Sequence, residues 1–532
     1  MLAILNRSIA WWFVAAAFLA ATAPGQDECA DCKPTSGVQP AQSAARRTLS
    51  SKTAAVDPQL KAMISDADGV MPEFRADILL GLVESGKIAD ARLKKTLVNR
   101  AYSAAEAAQA QYGEAPYGRV GRTRQGRKAI SVSITQLDRI SLQSRAVHDM
   151  QSLSASRARA MFETMPFPAL APLSCDDNWI YDPGPFYHAL TEVVESDFHP
   201  HEIASGNRLS FLLPYVSHLD SHAQVIPVAH LLATAKLTPE ELRQLSSAYV
   251  EALSSVPPDG LTFAVVAEDG GDYVRNVYGN SLSDAMLGLW SAMKKADLST
   301  GLLLRPLRGY LLQNFNGPRC NIKEAEESAK KKNSLPGAVE GFNRTFDASL
   351  KQNGLAPISL DELPKAATLP TTVFDPPDSY EDKQLTLAIQ KLQDSLDRST
   401  QNGQIASSWW RQLDDFLLRF YAWEEGQAKE DDYVNEKAEF YQVLVDFVPK
   451  SPERQKVLES FVSLLEQHTY QSLGAAEWFL YSRVFLIGMF AKESHDEIVH
   501  ALLNSRDPVL NLYARLELWQ GKASGPHWPA AH

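Results

Sequence analysis

Apolar residues recur every three and four positions along most of this chain. Residues 237–256, LTPEELRQLSSAYVEALSSV, show the unit in its fullest form. Leu242, Leu245, Tyr249, Ala252, Leu253 and Val256 fall on one helical face. Thr238 is placed to cap the helix, and Pro239 occupies the first helical position, where a missing N–H costs nothing. Glu241 is spaced to bond back to the cap and complete a capping box, while Leu237 and Leu242 are spaced as a hydrophobic staple. Pro257 and Pro258 stop the helix.

The design repeats in both directions. Pro72 opens a helix carrying Phe74, Ile78, Leu79 and Leu82 on one face, and Gly86 ends it. Asp90 caps the next, with Leu93, Leu97, Ala101, Ala104 and Ala108 at helical spacing. Further helices are predicted over 137–150, 154–165, 186–196, 207–218, 222–235, 282–296 and 302–315. Three stretches break the pattern. Residues 113–128 are basic and glycine-rich, and Ile130, Val132 and Ile134 then alternate, which allows a short strand. Residues 174–188 form a polar, aromatic loop. Within 262–280, LTFAVV fits a strand or a helix start, followed by turn-like Glu268, Asp269, Gly270, Gly271 and Asp272.

From 319 to 378 the apolar pattern thins and prolines gather (Pro357, Pro364, Pro370, Pro376, Pro377), which reads as a long connection with some helix in it between two helical domains, 57–318 and 379–522. In the second domain Trp409, Leu413, Phe416, Phe420 and Trp423 stripe one helix, and Tyr433, Phe440, Leu444 and Phe447 the next. Rings at that spacing are expected to be core rather than a sugar-binding surface. Ser451 opens a third helix, with Val457, Phe461 and Leu464 inward, and a fourth runs over 473–490. Ser494 and Glu497 are spaced as a capping box, Asp507-Pro508 opens the last helix, and Gly521 ends it, leaving a tail at 523–532. The fold class expected is all-α, built as stacked helical hairpins in two halves.

Two segments resemble known helical repeats. ARAMFETMP, 158–166, resembles the second helix of tetratricopeptide and pentatricopeptide repeats, in which small residues allow close approach and Phe162 fills the groove. IVHALLNSRDPVLNLYARLEL, 498–518, looks like one HEAT repeat, with Val509, Leu512, Ala514 and Leu516 facing inward. These resemblances imply architecture and no activity.

The first 25 residues read as an export signal. Arg7 supplies the positive charge, and 9–23, IAWWFVAAAFLAATA, is an apolar run of signal-peptide length, with a small-x-small cleavage pattern ending at Ala23 or Gly25. Residues 26–56 are rich in Ser, Ala, Thr and Gln and read as a tether. The expected location is periplasmic or secreted, with no membrane span in the mature chain. The whole chain carries 52 Lys and Arg against 64 Asp and Glu, a net charge of −12 that becomes −13 once Arg7 is removed. That field argues against nucleic acid as a partner. Of four cysteines, Cys29 and Cys32 lie in the tether, which leaves Cys175 and Cys320, each in a turn, as an expected disulfide.

Chemistry is sparse. No phosphate loop, Rossmann fingerprint, calcium loop or Gly-x-Ser-x-Gly is present, so no cofactor is expected. Six of the twelve histidines lie between 188 and 230, and His218 and His222 are four apart, yet one ends a helix and the other begins one. No metal site is expected from that spacing. Arg119, Arg122, Arg124, Arg127 and Lys128, interleaved with glycines, form a candidate anion-binding loop. Asp176, Asp177, Trp179, Asp182, Tyr187 and His188 form a candidate binding loop, since carboxylates beside aromatic faces suit a glycan. The leading expectation is an exported, non-catalytic helical-repeat scaffold that binds a protein or envelope component. The alternative is a glycan-active hydrolase or lyase with an α/α toroid fold.

Overall fold

In a computed structural model of the chain, the residues described are 57–108, 119–123, 126–130, 136–168, 170, 183–259, 262–263, 266–267, 274–275, 277–316, 319–320, 335–363, 368–369, 380–401, 404–423, 430–468 and 495–521. All belong to one compact unit, Val56–His532. The expected signal and tether lie outside the described residues.

The fold is all-α. The first helices are α1 (Pro58–Ala67), α2 (Pro72–Glu84), α3 (Ala91–Glu106), α4 (Arg139–Gln151), α5 (Ala155–Glu163), α6 (Gly184–Ser196), α7 (Pro200–Ala204), α8 (Asn207–Ser217), α9 (His222–Thr234) and α10 (Pro239–Leu253). After them come α11 (Val277–Lys295), α12 (Gly301–Asn316), α13 (Gly337–Gln352), α14 (Tyr380–Ser399), α15 (Ser407–Ala422), α16 (Glu430–Phe447), α17 (Pro452–Gln467), α18 (His495–Leu503) and α19 (Pro508–Gln520). Helices α2, α4, α6, α9, α11 and α13 lie side by side in that order. Helix α3 packs across α2 and α4, α5 across α4 and α6, and α8, α10 and α12 form a second line. This is the stacked-hairpin arrangement expected from the apolar periodicity.

Caps fall where the sequence placed them. Asp90 accepts from the Arg92 amide at 2.8 Å. Thr238 and Glu241 close their capping box, with the Glu241 amide 3.2 Å from the Thr238 hydroxyl and the Thr238 amide 2.8 Å from Glu241 Oε2. Asp507 accepts from Val509 at 2.8 Å and Leu510 at 3.1 Å. Helices α8, α9 and α12 run through internal prolines at Pro214, Pro227 and Pro306, since their apolar faces are buried strongly enough to absorb the lost hydrogen bond.

Two expectations need correction. First, the basic stretch is not only a loop. Its backbone forms an antiparallel hairpin, β1 (Arg119–Thr123) with β2 (Gly126–Ile130), Arg122 opposite Arg127 and Gly121 opposite Lys128. A two-residue connection is the shortest hairpin link. Of the strand expected over 130–134, Ile130 ends β2 and the rest lies outside the described residues. Three more two-residue pairs occur: β3 (Val266–Ala267) with β4 (Val274–Arg275), β5 (Arg319–Cys320) parallel to β6 (Thr368–Leu369), and β7 (Thr400–Gln401) with β8 (Gln404–Ile405). Second, α13, inside the expected connection 319–378, belongs to the stack. It buries Val339, Phe342, Phe346 and Leu350, four residues at helical spacing, against α11 and α12.

The chain's last described helix meets its first ones. Helix α19 packs on α1 and α2. Tyr513 donates to Asp77 Oδ2 at 2.5 Å, Arg515 pairs with Asp66 at 2.7 Å, and the Trp519 indole donates to Ser85 at 3.1 Å. Gly81 makes the approach close: a Cβ there would stand 2.9 Å from Leu516 Cδ2, and the Gly81 carbonyl accepts from Gln520 at 3.1 Å. This contact explains why α2 is buried nearly all round, at Phe74, Ala76, Ile78, Leu79, Leu80, Leu82 and Val83.

The aromatic stripe of α15 is core, as its spacing implied, with Trp409, Leu413, Phe416 and Phe420 buried and Trp423 partly so. Phe162 sits among Phe186, Phe211 and Tyr215, with ring centroids 4.9, 6.2 and 5.7 Å away.

Candidate functional site

The largest charged constellation among the described residues lies where α2, α4, α6 and α19 meet. Asp138 fixes the start of α4 by accepting from the Ser141 amide at 2.9 Å. From that start, Arg145, His148 and Asp149 fall three and four apart and share a face. Arg145 grips both Glu84 oxygens, at 2.5 and 2.7 Å, and reaches Asp77 at 2.5 Å. Burial works against its charge, but Glu84 and Asp77 outweigh it and hold the guanidinium pKa well above its ordinary value. One turn further on, His148 Nδ1 lies 2.8 Å from both oxygens of Glu192. Glu192 follows His188 by four on α6, and His188 Nε2 lies 3.5 Å from Glu192 Oε1.

This outer end is open to solvent: the His148, His188 and Glu192 side chains are 39%, 41% and 25% exposed. The Glu192 hydrogen bond raises the His148 pKa against burial, and the charges of Glu192, Asp149 and Glu84 add to it. Asp149 is the inner neighbour. Burial pushes its carboxyl up to about 7, Glu84 and Glu192 adding to the rise while Arg145 and His148 oppose it. Its Oδ2 has no hydrogen-bond partner.

The raised His148 pKa carries a sign. Its pairing with Glu192 stabilises the fold fully below the unfolded imidazole value near 6.5 and loses that contribution as pH rises through the folded value. In metal-free protein, the stability difference between the unaltered chain and His148→Gln is therefore expected to shrink from slightly acidic to alkaline pH. Urea midpoints measured across that range check it.

A second constellation is closed. His222, at the start of α9, is fully buried, hydrogen-bonded through Nδ1 to the Tyr310 hydroxyl, with Asp259 Oδ2 3.8 Å from its Nε2. Asp259 in turn accepts from the Thr262 amide at 2.8 Å and hydroxyl at 2.7 Å. Burial lowers the His222 pKa even against the Asp259 charge. The group ties α9 to α12, Asp259 and Thr262, beyond the reach of solvent. His218 is exposed just after α8, so the pair of histidines four apart does not share one face.

Of the candidate binding loop, Asp176, Asp177, Trp179 and Asp182 lie outside the described residues. Tyr187 stands in α6 as a core residue, its hydroxyl 3.4 Å from both the Tyr215 carbonyl and Gln224 Nε2. Of the loop's described residues, Tyr187 and His188, His188 reaches the surface constellation, which also draws on His148 and Glu192. Those two carried no sequence signal, because the partner comes from another helix 40 residues earlier and Glu192 reads as an ordinary exposed helical acid. Of the candidate anion-binding loop, Arg119, Arg122, Arg127 and Lys128 are placed by backbone alone, in β1 and β2, and Arg124 lies outside the described residues. Cys175 does too, and Cys320 is described only as backbone in β5.

No family model matches the chain, and no curated protein is significantly similar to it in sequence.

Proposed function

We propose that the protein is an exported helical scaffold that binds a protein or envelope component. The observation that carries this reading is the stack of α2, α4, α6, α9, α11 and α13 with α8, α10 and α12 in a second line, since arrays of stacked helices commonly serve as extended binding surfaces. The described helices include none long and apolar enough to cross a membrane. Charge pairs between helices support the same reading, since Arg145 with Asp77 and Glu84, and Arg208 with Glu241, join one helix to another.

The test is capture of partners from an envelope extract with the mature chain, identified by mass spectrometry beside an unrelated exported helical protein as control. One component enriched reproducibly, and bound again when purified, supports the reading. No enrichment over the control overturns it. The N-terminus of the exported chain is expected at Pro24 or Gln26, and non-reducing peptide mapping reads whether Cys175 and Cys320 are bridged there.

Docking of α19 on α1 and α2 favours a second reading, a glycan-active enzyme, because α/α toroids also bring their ends together. A polysaccharide panel decides it. Asp176→Asn or Asp182→Asn abolishing cleavage at unchanged melting temperature supports the enzyme, and no cleavage of any polymer removes it.

A further inference from the structure

We propose that His148, His188 and Glu192 form a binding site for one divalent transition-metal ion of the zinc class, with a coordination position open to solvent. The proposal is independent of the scaffold reading.

Three observations carry it. The first is donor chemistry. Two imidazoles and one carboxylate are ligands that zinc takes in three-ligand sites, with water or a bound molecule completing the shell. The second is spacing. One donor atom from each of the three residues lies within 4.8 Å of the other two. For metal–ligand bonds of about 2.0–2.1 Å in a tetrahedron, neighbouring ligand atoms stand about 3.3 Å apart. The Glu192 contacts of 2.8 Å to His148 and 3.5 Å to His188 bracket that edge. The two imidazole rings stand 6.0 Å apart and are tilted 33° to each other.

The third is the support behind the ligands. His188 and Glu192 are one turn apart on α6, and His148 comes from the adjacent helix α4, so two packed helices fix all three positions. A site on helices is held more tightly than one on loops. Asp149 follows His148 on α4, its buried Oδ2 without a hydrogen-bond partner. The exposure of both histidines leaves room for water as the fourth ligand.

The experiment uses the full chain, stripped with chelator and dialysed. Zinc binding is measured by competition with a chromophoric chelator, and cobalt(II) substitution is followed by its ligand-field spectrum. Unaltered protein is expected to bind zinc, and cobalt to give the absorption of a four-coordinate nitrogen–oxygen site. His188→Ala and Glu192→Gln are each expected to weaken that binding by more than about 100-fold, beyond what loss of an outer-shell partner costs. His201→Ala, on the exposed helix α7, is expected to leave it unchanged. Comparison between variants cancels any ion held elsewhere, at Cys29 and Cys32 for example. X-ray absorption of the zinc-loaded unaltered chain removes dependence on the folding of variants, with two imidazoles per ion expected. Absence of zinc binding, unchanged affinity in His188→Ala and Glu192→Gln, or an ion coordinated without imidazole would each overturn the proposal.

Discussion

Glu241→Ala is expected to cost the fold about 3–5 kcal/mol, the range for removing one partner of a buried ion pair. The two charged side chains are 5% and 6% exposed, and Arg208 grips both Glu241 oxygens, at 2.9 and 2.5 Å. The same carboxylate accepts from the Thr238 amide at 2.8 Å and hydroxyl at 2.9 Å in the capping box of α10. Alanine leaves a buried guanidinium unpaired and removes this half of the box, while the Thr238 hydroxyl still caps the helix. Replacing both Arg208 and Glu241 by methionine is expected to cost much less, since no lone charge stays behind. Urea denaturation of the three proteins measures the difference. The pH dependence follows from the same contacts. Burial works against the Glu241 charge, but hydrogen bonds from Arg208 and Thr238 outweigh it and hold the folded pKa below the ordinary value of 4.5. The contribution is therefore present above that value and lost as pH falls through the folded one. Glu241→Gln is expected to flatten this part of the acid limb.

The second large effect is expected at the junction of the chain's two ends. Asp77 joins Arg145 on α4 to Tyr513 on α19, with both contacts at 2.5 Å. Asp77→Ala removes a charge-assisted bond on each side and is expected to destabilise by about 3 kcal/mol, since bonds to charged groups contribute about 1.5–3 kcal/mol each and Arg145 keeps Glu84. Tyr513→Phe removes only the bond to α19. A double-mutant cycle between the two is expected to show a coupling of at least about 1 kcal/mol, as contacting residues do. Additive losses would mean that Tyr513 and Asp77 do not meet in solution.

Both sites show how far the sequence is legible. The capping box of Thr238 and Glu241 is read from spacing alone, because its partners are three residues apart. Arg208, 33 residues before Glu241, carries no such mark, since an arginine near the start of a helix is usually solvated. The same limit hides the surface site. His188 stands out among clustered histidines, but Glu192 reads as an ordinary helical acid and His148 joins them only through packing of α4 on α6. Local periodicity likewise yields the helices of α2 and α19 and not their meeting. One signal was available: ILLGLV within α2 is apolar all round, with a glycine in its middle. A helix of that kind is covered on every side, and the glycine marks the place where another backbone element comes close. The place of helix α13 in the stack went unread for a different reason, as its four core residues stand among polar ones in a proline-rich stretch.

Docking of α19 on α1 and α2 makes the described helices one unit rather than two halves in series, and hydrogen exchange tests it most directly. The chain ended after Ser505, without α19, is compared with the full chain. Amides of Ile78, Leu79, Leu80, Leu82 and Val83 in α2 are expected to lose most of their protection, while those of α9 and α11 keep theirs. Unchanged protection across α2 in the shortened chain would contradict the account.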